Sequence, residues 1–196
     1  MDIKPVILEG KRAKLIPLEE SHIEELYEAG RDNKIWTHYT FRMIGSKEEF
    51  RNFILSNIKK SENGEKLLFT IIDKETNKKI GSSNYWEISS ENDSVEIGGT
   101  WMAPYLWGTG FNEECKYLLL KNAFEEAKAV RVFFKTDETN LRSQKALEKI
   151  GAKYEGVLRK HMKREDGTYR TSVYYSIIDD EWQTLKEKLE KILYNT

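Results

Sequence analysis

The sequence predicts a mixed α/β fold: one sheet in which antiparallel hairpins surround a single crossover unit. Three observations carry that prediction. Val95–Asn112 runs as strand, proline stop, glycine turn and helix start. Two pairs of strand-like runs, 67–72 with 79–88 and 154–162 with 169–178, are each joined by a polar turn and read as hairpins. The short β-branched and aromatic run Val130–Lys135 follows a long helical pattern, which sets it parallel to the preceding strand through a right-handed crossover.

Lys11–Pro17 alternates weakly and is the first predicted strand. Glu19–Gly30 is helical, with Ile23, Leu26 and Tyr27 on one face and Gly30 as its stop. Residues 31–45 have no clean period but are rich in aromatics. Ser46–Glu49 is a capping box that opens a helix carrying Phe50, Phe53, Ile54 and Ile58 on one side. The strands Leu67–Ile72 and Lys79–Ile88 turn at Glu75–Lys78, and Ser89–Asp93 separates them from the third strand. In that strand alternation sets Val95, Ile97 and Trp101 on one face and Glu96, Thr100 and Met102 on the other. Pro104 stops the ladder because it has no N–H to donate.

The helix Asn112–Ala129 follows, with Cys115, Leu118, Leu119, Ala123 and Ala127 along one stripe. Asn140 is a strong N-cap for Leu141–Ile150, which Gly151 closes. Strands Tyr154–Met162 and Tyr169–Ile178 meet at Asp166-Gly167. Asp179 caps a last helix whose buried face is Trp182, Leu185, Leu189 and Ile192.

Composition narrows the function. Acids and bases nearly cancel, 33 against 32, so no global field recruits nucleic acid or an anionic membrane. One cysteine, Cys115, excludes an internal disulfide and fits a reducing compartment. His22, His38 and His161 stand far apart without Cys or His companions, so no metal site is expected. Met1–Arg12 has no apolar signal core, and no apolar run reaches transmembrane length. A cytoplasmic single domain spanning 1–196, monomer or homodimer, is the expectation.

Gly108-Thr109-Gly110 is the first candidate for chemistry. The opening N–H groups of a helix lack internal partners and the dipole there favours anions, while glycine lets the backbone approach a phosphate. The nucleoside-triphosphatase pattern GxxxxGK[ST] is absent. A dinucleotide fingerprint would need a third glycine where Glu113 stands. Taken alone, the turn reads first as a structural one and second as an anion site.

The motifs EIG-x-x-W-x-x-P (Glu96–Pro104), KTD-x-x-NLRSQKALEKIGA (Lys135–Ala152) and EGVLRKHM…DGTYR (Glu155–Arg170) together resemble the GNAT superfamily of acetyl-CoA-dependent N-acetyltransferases, in its RimJ/RimL-like branch. The resemblance implies a mostly antiparallel, splayed and twisted sheet flanked by helices. It implies acetyl-CoA as co-substrate and a primary amine as acceptor. The pyrophosphate is expected on Trp107, Gly108, Thr109, Gly110, Phe111 and Asn112, although the superfamily has Arg or Gln at Trp107 and Gly or Ala at Asn112. Backbone at Trp101, Met102 and Ala103 is expected to pair with pantetheine as an added strand. Asn140 and Ser143 match positions near the pantetheine arm and thioester, with capping as the other reading of Asn140.

Glu96 is the motif's candidate general base, against a plain glutamate–lysine pair. The acid is open: the family's tyrosine position holds Leu147, leaving Ser143, a water, or a tyrosine such as Tyr85. Trp36, His38, Tyr39, Phe41, Tyr85 and Trp86 are candidates to line the acceptor side, through cation–π attraction to an ammonium or simply as core. The expected acceptor is a peptide or protein N-terminal amine, with a small-molecule amine next. A non-catalytic acyl-CoA-binding module stays open as a different class, and a Rossmann-type binder ranks third.

Overall fold

The computed structural model describes residues 1–40 and 45–194. Its eight strands form one sheet: β1 (Leu8–Glu9), β2 (Ala13–Pro17), β3 (Leu67–Asp73), β4 (Lys78–Ser89), β5 (Ser94–Met102), β6 (Arg131–Asp137), β7 (Lys153–Lys163) and β8 (Tyr169–Ile178). The order is β1-β2-β3-β4-β5-β6-β8-β7. Every neighbouring pair is antiparallel except β5–β6. Five α-helices flank the sheet: α1 (Ile23–Ala29), α2 (Lys47–Glu62), α3 (Phe111–Lys121), α4 (Leu141–Lys149) and α5 (Asp179–Tyr194). The mixed α/β single-sheet expectation holds. β1 is an addition: a two-residue strand carries too little alternation to be read from sequence.

Two apolar clusters cover the sheet. On one face α3 and α5 bury Phe111, Cys115, Leu119, Trp182 and Leu189 against Val95, Ile97, Val132, Phe134 and Ile177. On the other, α1 and α2 bury Leu26, Phe50 and Ile54 against Leu68 and Trp101. α3 continues into a π-helical turn at Asn122–Glu126.

The faces of β5 are not as alternation predicts. Ser82 pairs with Trp101 and Asn84 with Gly98, so Ser83 alone stands against two residues, Gly99 and Thr100. Gly99 occupies positive φ, +57°, as a bulge residue of this kind requires. The extra residue inverts the alternation beyond it. Trp101 therefore joins the α1/α2 cluster and Met102 joins Val95 and Ile97. Glu96 and Trp101 end on one face.

A buried carboxylate ties the start of the chain to α3. Glu114 Oε1 and Oε2 accept the N–H groups of Lys11 at 2.6 Å, Arg12 at 3.2 Å and Ala13 at 3.0 Å. A Cβ on Gly10 would lie 2.4 Å from Glu114 Oε1, so a side chain at residue 10 would displace this carboxylate. Glu114→Ala would leave these donors without their acceptor, at about 1–3 kcal/mol for each that stays dry. Urea unfolding of the variant is expected to show a loss of about 2–4 kcal/mol, with Glu114→Gln costing less.

Candidate active site

The site begins where β5 and β6 part. They pair only at Ser94–Arg131, Val95–Val132 and Glu96–Phe133, after which β5 runs on to Met102 and β6 to Asp137 without pairing to each other. The outer edges of both strands are occupied, by β4 and β8. Backbone edges facing the wedge thus have no strand partner, the condition for adding an extended ligand as a strand. Of the three residues expected to contact pantetheine, Ala103 is already committed: its N–H goes to Ile80 O at 2.9 Å and its carbonyl accepts from Leu106 N at 3.0 Å. The carbonyl of Met102 takes the Trp107 indole N–H at 3.1 Å.

At the mouth of the wedge lies the glycine turn. Gly108 and Gly110 have φ of +76° and +86°, and a Cβ at either would meet nothing within 4 Å. Open space therefore lies over the turn, here called the cradle. The turn uses some of the N–H groups expected for the phosphate: Trp107 N donates to Pro104 O and Thr109 N to Leu106 O. The helical ladder starts with Glu114 N on Gly110 O, so the N–H groups of Gly110, Phe111, Asn112 and Glu113 precede it, beside that of Gly108. Trp107 and Thr109 therefore shape the cradle and are not its N–H donors.

Cations missing from the turn's own sequence come from elsewhere. The Arg142 guanidinium, in the first turn of α4, stacks 3.5 Å from the centroid of the Trp107 ring. Arg12 Nη1 donates to Thr109 O at 2.8 Å, and its guanidinium lies 5.0 Å from the Phe111 ring centroid. Asn140 Oδ1 accepts Ser143 N at 3.1 Å, so Asn140 does cap α4 and both residues sit at its start.

On the α1/α2 side of the wedge stands Glu96, 7 % exposed. Its Oε2 pairs with Lys135 Nζ at 2.9 Å, and Lys135 also holds Glu87. Burial raises the Glu96 carboxyl above the ordinary value, with Lys135 acting in opposition. On the α3 side, Lys116 Nζ donates to Thr100 Oγ1 at 2.8 Å, and burial lowers its amine to about 8. Phe133 stacks on Tyr174 at 6.4 Å next to Glu96.

The aromatic candidates divide. Tyr85 is fully buried against Phe69 on the α3 side, donating its hydroxyl to Leu119 O at 2.6 Å. It is a core residue, which corrects its placement as acceptor contact or acid: it precedes Trp86, whose cross-strand partner is Glu96, and so points away from Glu96. Trp36 is 5 % exposed, gives its indole N–H to Gly30 O at 2.8 Å and packs on Trp101, so it too is core. The face of Trp86 is taken by Lys66 Nζ, 4.1 Å from the ring centroid, whose amine burial lowers to about 8. Tyr39 packs on Trp36. His38 Nδ1 lies 3.3 Å from Thr139 Oγ1, and burial holds its imidazole below the ordinary value. Phe41 lies outside the described residues.

Sequence reasoning passed over Arg12, Phe133, Lys135, Arg142, Arg170 and Tyr174. Lys135, Arg142 and Arg170 lie inside the quoted motifs, so their signal was present but unassigned. No pattern marked Arg12.

The fold thus brings together a wedge between parallel strands, a glycine turn opening a helix and a buried glutamate where the strands part. Residues 12–153 match the family model described as acetyltransferase (GNAT) domain, and the chain belongs to that family. It is an acetyltransferase enzyme acting on an amine acceptor. An N-acetyltransferase of Bacillus subtilis (strain 168), YnaD, whose role is uncharacterized, is 24% identical over 88% of this chain and 96% of its own. A crystal structure of a T. thermophilus protein assigned as an acetyltransferase is 32% identical, covers 99% of this chain and 100% of its own, and superposes with a TM-score of 0.89. The ribosomal-protein-S5-alanine acetyltransferase of Vibrio fischeri, 18% identical over 90% of this chain and 98% of its own, shares the fold at a TM-score of 0.72. Among the described residues no group of His, Cys, Asp or Glu could hold a metal ion, and no helix is long and apolar enough to cross a membrane.

Acetyltransferases of this family use acetyl-CoA, and the cradle, its free N–H groups and the two arginines fit a pyrophosphate. Arg142→Ala is expected to weaken acetyl-CoA binding by roughly 3- to 10-fold in calorimetry, the value of one part-exposed cation on a phosphate. Gly110→Val should weaken it far more, since the added side chain enters the cradle.

Proposed function

We propose that the enzyme acetylates the α-amine of a peptide or protein N-terminus, with Glu96 as general base. The observation that carries the reading is Glu96 itself, buried at the point where β5 and β6 separate and aimed to the face that carries Phe133, Lys135 and Tyr174. Bound acetyl-CoA supplies an activated acetyl thioester. The amine must be neutral to attack it, and an α-amine with a pKa of ~7.7–8.0 needs less help than a lysine at ~10.4. Glu96 takes that proton directly or through water. A raised pKa brings the carboxylate nearer the acceptor's own and strengthens it as a base. Lys135 works through Glu96 as a positioning residue: its charge opposes the rise that burial imposes on the carboxyl.

Leu147 occupies the family's tyrosine position and is buried in the core, and Tyr85 faces away, so neither protonates the departing thiolate; Ser143 or a water takes that role in this reading. The motif likeness to the RimJ/RimL-like branch and the shared fold of a ribosomal-protein acetyltransferase support a peptide acceptor. A small-molecule amine is the second reading. It is favoured by Glu165 N donating to Thr40 O at 3.1 Å, which draws the β7–β8 turn against the 31–40 loop and narrows the acceptor end.

Glu96→Gln is expected to lower kcat/KM by roughly 10²–10⁴-fold near pH 7 while leaving acetyl-CoA affinity almost intact. The loss should shrink toward about pH 9, where an α-amine is already neutral. A variant that keeps the wild-type rate across this range would reduce Glu96 to a structural ion pair.

A further inference from the structure

The acceptor end contains a guanidinium that its surroundings do not use. Arg170 pairs across β8–β7 with Met162, and two residues later Ser172 stands opposite Asp137 on β6. Alternation places Arg170, Ser172 and Tyr174 on one face of β8. The Phe133–Tyr174 stack identifies it as the face carrying Phe133, Lys135 and Glu96. Arg170 is half-buried, and its Nε is shut off from solvent without a hydrogen-bond partner among the described residues.

The carboxylates in its field are Asp137 and Glu96, and both are committed elsewhere. Asp137 accepts Thr139 N at 2.9 Å and Thr139 Oγ1 at 2.7 Å and pairs with Arg164. Glu96 pairs with Lys135. A charged donor left dry and unpaired is costly, and native structures tolerate it mainly where another group completes the set. The other titratable groups in the field of Arg170 are Arg164, the Tyr39 and Tyr174 hydroxyls and the His38 and His161 imidazoles, none of which offers an anion at neutral pH.

We propose that Arg170 binds a carboxylate on the acceptor, so that the preferred substrates are amines with a carboxylate a few bonds from the nitrogen. Two sources share that chemistry: the α-carboxylate of a free amino acid, and the side chain of an N-terminal Asp or Glu in a peptide. Glu96 and Arg170 then face the two ends of one dipolar acceptor, ammonium to carboxylate and carboxylate to guanidinium. The assignment rests on the acceptor lying beside Glu96, as proposed above.

The test uses matched acceptors that differ only in that charge: an α-amino acid against its amide, and peptides beginning with Glu against Gln. Wild-type thiol release is expected to favour the acid by roughly 10- to 100-fold in kcat/KM, mostly through KM. Whichever pair shows the preference identifies the source. In Arg170→Ala the acid-to-amide ratio should collapse toward one, and Arg170→Lys should restore part of it. Binding of the same four compounds to the enzyme with coenzyme A, measured by calorimetry, gives a readout that needs no turnover. Equal use and equal binding of acid and amide by the wild type would overturn the assignment of Arg170, with or without a folded variant. Preferred binding of the acid without thiol release from any amine would leave Arg170 standing and overturn the peptide-acetylation reading instead.

Discussion

Parallel strands β5 and β6 are held together at their beginnings and nowhere else, and that short ladder fixes the rest of the site. Its last pair is Glu96–Phe133. Immediately beyond it the Gly98–Thr100 bulge adds a residue to β5 against β4, bending and twisting the strand. β6 meanwhile stays in register with β8 through Asp137. Each strand is anchored on its outer edge, so the two can diverge without leaving either unpaired on both sides. The opening therefore costs only the ladder bonds facing it, which an extended amide-bearing ligand can replace.

The same divergence explains why a carboxylate can be buried there. Glu96 sits at the apex, shielded by Phe133 and the cross-strand Trp86, where desolvation alone would drive it toward the neutral acid. Lys135 comes from the neighbouring strand on the same face and offsets part of that cost. Two opposed effects of similar origin thus set the basicity of one group. The glycine turn depends on a different buried acid: Glu114 fastens the backbone at Lys11–Ala13, and Arg12 reaches the turn from that anchored stretch.

Much of this was legible in the chain. The strand–proline–glycine–helix order is realised as β5, the Gly108–Gly110 turn and α3, Asn140 caps α4 as its residue type suggests, and the Asp166-Gly167 turn closes the β7–β8 hairpin. What failed did so for local reasons. The bulge at Gly99 reversed the faces of Trp101 and Met102, and a period-two reading has no way to register one extra residue. Tyr85 was an aromatic next to the site in sequence, yet adjacent strand residues point to opposite faces. Trp107 looked like the loss of a cation because only its own position was considered. Arg142 lies 35 residues further on and reaches it only through the fold.

That last case bears on how charge should be read in this protein. A formal net charge of −1 removes any long-range pull on polyanions, but it does not describe the site. Arg12 and Arg142 converge on the cradle, while Lys135, Arg164 and Arg170 gather at the acceptor end opposite Glu87, Glu96 and Asp137. Within a half-buried wedge such groups interact at a lower effective dielectric than on the open surface, so their arrangement outweighs their sum. Under the function proposed above, such an arrangement suits an anionic donor and a dipolar acceptor.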